Sequence, residues 1–121
     1  MNIIATSRKF KPTELYHLTK DPAVEKLSKH VEETLEVTGY CVYEDVNSKT
    51  GEVQTLLAIE LAEGEPVATN SPTVTRSFQD IIDIFAGSEI DQPFPFSIYV
   101  FSKTAVGSGR SYINIRLVDE E

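Results

Sequence analysis

A chain of 121 residues suits one domain, which should bury roughly 65–70% of its unfolded surface. An apolar content of 40%, with 6 Phe and 5 Tyr, excludes a disordered segment, and no apolar run approaches the ~20 residues of a membrane span. The net charge of −8 argues at first against nucleic acid, whose phosphates call for Lys and Arg.

The distribution of charge changes that reading. Residues 1–13 carry Arg8, Lys9 and Lys11 with no acid, and residues 92–118 carry Lys103, Arg110 and Arg116 with no acid. The acids crowd the stretch between and the closing Asp119-Glu120-Glu121. Either the basic residues are segregated for a purpose, or the acids simply serve solubility. The start, Met1 to Lys9, has no long apolar core of a signal peptide. Cys41, the single cysteine, rules out an intramolecular disulfide, and a reducing, cytoplasmic setting is expected.

Two short helices are expected first. Pro12 stands near a helix start with Leu15 and Leu18 three apart, and Asp21-Pro22 supplies a cap and proline before Val24, Leu27 and Val31. From Glu33 the period changes to two. Thr34-Leu35-Glu36-Val37-Thr38 alternates, Gly39 interrupts as at a bulge, and Tyr40-Cys41-Val42-Tyr43 continues the first strand. Turn formers over 45–52 lead to a second strand with Val53, Leu57, Ile59 and Leu61 on one face. A short third strand follows at 66–69.

Ser71-Pro72 repeats the cap-and-proline signal. Behind it Val74, Phe78, Ile81, Ile82 and Phe85 form one stripe of a helix, and Gly87 closes it. Phe94, Phe96, Ile98 and Val100 mark the inner face of a fourth strand, and Ile113, Ile115 and Leu117 that of a fifth, joined by the loop Ala105 to Gly109. Three strands, a helix and two strands make the order of the OB-fold, a five-stranded Greek-key barrel with its helix between strands three and four. The expected organisation is one mainly β domain: an arm with short helices over 1–32, a barrel over 33–118 and a short acidic tail over 119–121.

No catalytic constellation emerges. Glu32-Glu33 and Glu44-Asp45 are paired only by adjacency, and neighbouring side chains diverge on helix or strand. His17 and His30 lack metal-site spacing, and Cys41 has no evident base. Neither metal nor cofactor is expected, and the chain reads as a binding protein. Gly107-Ser108-Gly109-Arg110 joins two strands without opening a helix, which excludes a P-loop.

The last hairpin is more informative. If Ile98, Val100 and Ile115 point inward, then Tyr99, Phe101, Lys103, Tyr112, Asn114 and Arg116 point outward on neighbouring strands. Aromatic faces that stack on unpaired bases, beside cations that neutralise phosphates, describe a sequence-tolerant single-strand site. The alternative is that the N-terminal helices cover this face and make Tyr99 and Phe101 a second core. Tyr40 and Tyr43 are further candidates whose direction the bend at Gly39 leaves open, and Arg8, Lys9 and Lys11 could clamp the phosphate backbone or reach a neighbouring subunit.

The phrases Ala68-Thr69-Asn70-Ser71-Pro72-Thr73-Val74, Phe78-Gln79-Asp80-Ile81-Ile82, Phe96-Ser97-Ile98-Tyr99-Val100-Phe101 and Gly109 to Leu117, with Glu14-Leu15-Tyr16-His17-Leu18-Thr19 and Asp21-Pro22, resemble small single-stranded-DNA-binding proteins of bacteriophages and mobile elements of Gram-positive bacteria. The resemblance covers about 90 residues, consists of pattern and short phrases, and is anchored by no invariant catalytic motif. It implies an OB-fold that coats single-stranded DNA during replication or transfer, with the binding role on Tyr99, Phe101, Lys103, Arg110, Tyr112 and Arg116. Such proteins often end in a longer acidic tail that recruits partners, whereas only Asp119-Glu120-Glu121 stands here. Single-stranded DNA is the expected partner, with replication proteins and self-association as further options. The rival expectations are a protein-interaction or accessory module that uses the same aromatic face, which suits the −8 charge, and a small enzyme, which would need a deep polar pocket.

Overall fold

The computed structural model describes residues 1–88, 93–107 and 109–119. Seven strands form one strongly curled, half-barrel sheet: β1 Asn2–Thr6, β2 Glu25–Lys26, β3 Thr34–Val46, β4 Val53–Leu61, β5 Val67–Thr69, β6 Phe96–Thr104 and β7 Ser111–Val118. Two helices, α1 Pro12–Thr19 and α2 Pro72–Ala86, and a 3-10 turn at Leu27–His30 complete the described elements. The sheet order is β2-β5-β4-β3-β6-β7, with β1 paired to β3; all pairings are antiparallel except β2 with β5.

β3 organises this arrangement because it is long and bent. Its first half, Thr34 to Val37, pairs with β6, and its second half, Cys41 to Glu44, pairs with β1. On its other edge β4 pairs along almost the whole length, with a register shift between Val37 and Gly39. The bulge exchanges the faces of the strand: Leu35 and Val37 before it, and Tyr40 and Val42 after it, all reach the main core.

α2 forms as its sequence suggests. Pro72 occupies the first turn, and the Ser71 hydroxyl accepts a hydrogen bond from the Val74 amide at 3.3 Å, which satisfies one of the orphan donors of the helix start. Val74, Phe78 and Ile81 are buried and Ile82 and Phe85 half-buried against the sheet. Tyr40, Phe78, Phe85, Phe94 and Phe96 pack their rings together, with centroids 5.1–6.2 Å apart.

Three expectations change. The described residues form seven strands rather than five, because β1 and β2 lie in the N-terminal arm. The helix expected after Asp21-Pro22 is instead a turn, the two-residue β2 and the 3-10 turn; Leu27 is still fully buried, so its apolar character serves the core without a helix. Phe94 precedes β6, and Leu117 is 40% exposed because it stands near the end of an edge strand. Residues 1–13 are ordered onto the sheet, Phe10 being buried. Of the acidic tail, Glu120 and Glu121 lie outside the described residues, as does Ser108 of the glycine-rich loop. No helix among the described residues is long and apolar enough to cross a membrane.

Candidate nucleic-acid interface

The β6–β7 hairpin is registered by its inward side chains, Ile98, Val100 and Ile115, all buried. Its loop closes with the Ala105 amide donating to the Arg110 carbonyl at 2.8 Å, and Gly107 and Gly109 take φ of 94° and 69°, which favours glycine. That register sets Tyr99 opposite Arg116, Phe101 opposite Asn114 and Lys103 opposite Tyr112. Cross-strand partners share a face, so five of the expected site residues stand on one outer surface. The Arg116 guanidinium lies 4.8 Å from the Phe101 ring centroid and 5.7 Å from that of Tyr99, a cation held over two aromatic faces.

Tyr99 and Phe101 are half-buried, while Lys103, Arg110, Tyr112 and Arg116 are exposed. Among the described residues Lys103 and Arg116 take part in no ion pair, so both charges remain free to meet an anion. Asn114 is turned to the helix, where the Ser77 hydroxyl donates to its Oδ1 at 2.6 Å. Of the N-terminal segments that could have covered Tyr99 and Phe101, α1 lies elsewhere, while Leu27 and Ser28 flank Tyr112 across a groove. α1 packs on β4, and a second cluster of Phe10, Leu18, Cys41, Tyr43 and Ala58 forms over β3 and β4.

Tyr43 belongs to that second cluster and Tyr40 to the main core, at 3% and 7% exposure; neither ring face is available to a base. Burial pushes both phenols up in pKa, as it does the Cys41 thiol. Arg8 is also engaged. Its guanidinium donates to Glu60 at 2.9 and 3.0 Å and to Glu14 at 3.3 Å, and lies 4.2 Å above the Phe10 ring. The hydrogen bond from Arg8 is the main reason that the Glu60 carboxyl titrates below its usual range. Gly39 lets these groups approach closely, since a Cβ there would stand 2.7 Å from Arg8 Nη1 and would displace the guanidinium. Lys9 and Lys11 are exposed but flank Phe10, which packs over β3 and β4 rather than β6 and β7.

Beside the hairpin runs a groove of about 540 Å³, lined by Tyr112 and Ile113 on β7, Leu56 on β4, Ala68 on β5 and Lys26 on β2, with Asn70 at its rim. Tyr112 therefore belongs to both the aromatic–cation face and the groove. At the opposite end of the face, Glu36 on β3 stands beside Ser97. The surface thus runs from an acidic boundary at β3 to cations on the hairpin, and Glu25 and Lys26 line the groove together.

Sequence reasoning missed Lys26, Leu56 and Ala68. Lys26 had been assigned to a helix, and only the parallel pairing of β2 with β5 brings it there. Among the described residues no group of three His, Cys, Asp or Glu side chains could hold a metal ion. Comparison with protein-family models, with curated proteins and with solved structures gives no match to this chain.

Proposed function

We propose that this chain is a non-catalytic OB-fold protein that binds single-stranded DNA without sequence preference, coating it in the cytoplasm during phage or plasmid replication or transfer. The observation that carries the reading is the outer face of β6 and β7, where the half-buried Tyr99 and Phe101 and the exposed Tyr112 stand with Lys103 and Arg116. Stacking of a base on an aromatic ring is worth about 1–3 kcal/mol and is indifferent to base identity. The cations alongside supply the phosphate term, which is also independent of sequence.

The fold supports this reading. Setting β1 and β2 aside, the order β5-β4-β3-β6-β7 with α2 between β5 and β6 corresponds to OB strands 3-2-1-4-5 with the helix after strand three. On that correspondence Leu56 and Ala68 lie on OB strands two and three, the region with which this fold meets oligonucleotides, and the groove joins that region to the hairpin through Tyr112. An accessory protein that docks another protein on the same face is the second reading, favoured by the net charge of −8.

Fluorescence anisotropy of a labelled oligo-dT of about 30 nucleotides, titrated at two salt concentrations with a duplex control, separates the two. Salt-sensitive binding to the single strand, absent for duplex and weakened by Tyr99→Ala/Phe101→Ala, is expected. No binding at low salt with protein at about tens of micromolar would overturn the reading and favour a protein partner.

A further inference from the structure

Two grooves of the molecule meet at one residue. The first, beside the β6–β7 hairpin, brings Tyr112 together with Leu56, Ala68 and Lys26. The second, of about 650 Å³, lies between β1, β4 and the start of α2, and is lined by Ile4, Val42, Gln54, Thr55, Arg76 and Asp80. Asn70 lines both. β5 ends at Thr69, opposite Leu57, so Gln54, Thr55 and Leu56 stand on an edge of β4 that β5 does not pair. Alternation turns Leu56 to the first groove and Thr55 to the second. Across that edge the Asn70 side-chain amide donates to Gln54 Oε1 at 3.3 Å. Neither side chain makes another hydrogen bond among the described residues, so the two amides keep donors and an acceptor for a passing ligand.

We infer that a single strand stacked on β6 and β7 continues through the first groove, crosses the edge of β4 at Asn70 and enters the second groove, where the Arg76 guanidinium takes one of its phosphates. The inference rests on the DNA-binding reading and extends its path. Charge selects Arg76. It is exposed and takes part in no ion pair among the described residues. The first turn of α2 carries no acid, so the positive end of the helix dipole adds to the pull on an anion. Ile4, Val42 and Pro72 give the second groove an apolar lining, Ile4 being 53% exposed, which suits the flat faces of bases while the phosphates keep to the polar rim. Two acids bound the path. Glu25 in the first groove is held by His30 at 3.1 Å, and Asp80 stands four residues beyond Arg76 on α2, where it repels a phosphate and sets the end of the track.

Anisotropy at low salt with oligo-dT of about 5 and about 15 nucleotides tests it, since one OB-fold covers about 4–16. Arg76→Ala should bind the longer oligonucleotide several-fold more weakly and lower its slope of log affinity against log salt by about 1. The shorter one, held on β6 and β7, should bind the variant as it binds the unaltered protein. Arg76→Lys keeps the charge and should restore the slope. Amide chemical shifts of the unaltered protein give a readout that needs no variant: those of Asn70 and Arg76 should move with the longer oligonucleotide and not with the shorter, whereas those of Tyr99 and Phe101 move with both. An Arg76→Ala variant that matches the unaltered protein at both lengths or loses affinity equally at both, or Asn70 and Arg76 amides that stay in place while Tyr99 and Phe101 move, would overturn this inference and leave the DNA-binding reading standing. Failure of the unaltered protein to bind either oligonucleotide would overturn the two together.

Discussion

The hairpins β3–β4 and β6–β7 are built on the same alternation and meet opposite fates on their outer faces. Over β3 and β4, the outward Cys41, Tyr43 and Ala58 are sealed beneath Phe10, Leu15 and Leu18, making a second small core. Over β6 and β7, the outward Tyr99, Phe101 and Tyr112 lie outside that cluster and share their face with Lys103 and Arg116. Aromatic residues at outward positions therefore do not identify a binding surface by themselves; what packs over them decides whether they stabilise the fold or meet a ligand.

That contrast can be broken most forcefully at Tyr43. Tyr43→Ala should cost about 3–5 kcal/mol of stability, as large-to-small changes of buried aromatics do, and leave the DNA affinity of the remaining folded protein unchanged. Chemical denaturation followed by anisotropy on the same sample measures both. Phe101→Ala should behave in the reverse manner: a loss of about 1–3 kcal/mol in single-strand affinity, with a small change in the denaturation midpoint. If Phe101→Ala unfolds the protein and Tyr43→Ala abolishes binding without destabilising it, the assignment of the two faces is wrong.

A smaller effect is expected at Arg116. Arg116→Ala should weaken binding several-fold for all oligonucleotides alike and reduce the slope of log affinity against log salt by about 1, the signature of one lost phosphate contact. Arg8→Ala should leave the slope unchanged and lower stability instead, since Arg8 is held by Glu60 and Glu14.

The smallest effect sharpens the contrast by pH. His30 is mostly buried, with Nδ1 3.0 Å from Glu33 and Nε2 3.1 Å from Glu25, and the hydrogen bond to Glu33 leads in raising its pKa above 6.5. A group whose pKa is raised by folding contributes stability that is fully present below its unfolded value and is lost as pH rises through its folded value. His30→Gln should therefore destabilise the protein below about pH 6.5 and much less in alkaline solution. Thermal melts across that range check it, with oligo-dT affinity at a fixed pH expected to stay the same.

Much of the fold was legible. The period-two runs over 34–61 and 96–118 and the stripe from Val74 to Phe85 carry enough apolar positions to identify their elements, and Ser71-Pro72 marked the start of α2. The outward placement of Tyr99, Phe101, Lys103, Tyr112 and Arg116 followed from alternation once a hairpin was assumed, while their cross-strand partners come from the register. Tyr40 and Tyr43 were not legible, because the bulge at Gly39 exchanges the faces of β3 and places both rings in cores, on opposite sides of the sheet.

By itself the sequence determined where apolar side chains recur, and hence the elements whose stability lies mostly in their own amphipathic pattern: α2 and the four long strands. It also determined the separation of basic and acidic stretches. Only the tertiary structure decided that Asn2–Thr6 and Glu25–Lys26 are strands, since segments of five and two residues owe their conformation to partners on β3 and β5. It likewise decided that Arg8 is bound to a carboxylate 52 residues away, and that α1 packs over β3 and β4 and not over β6 and β7. These outcomes depend on contacts between distant residues, which no local period encodes.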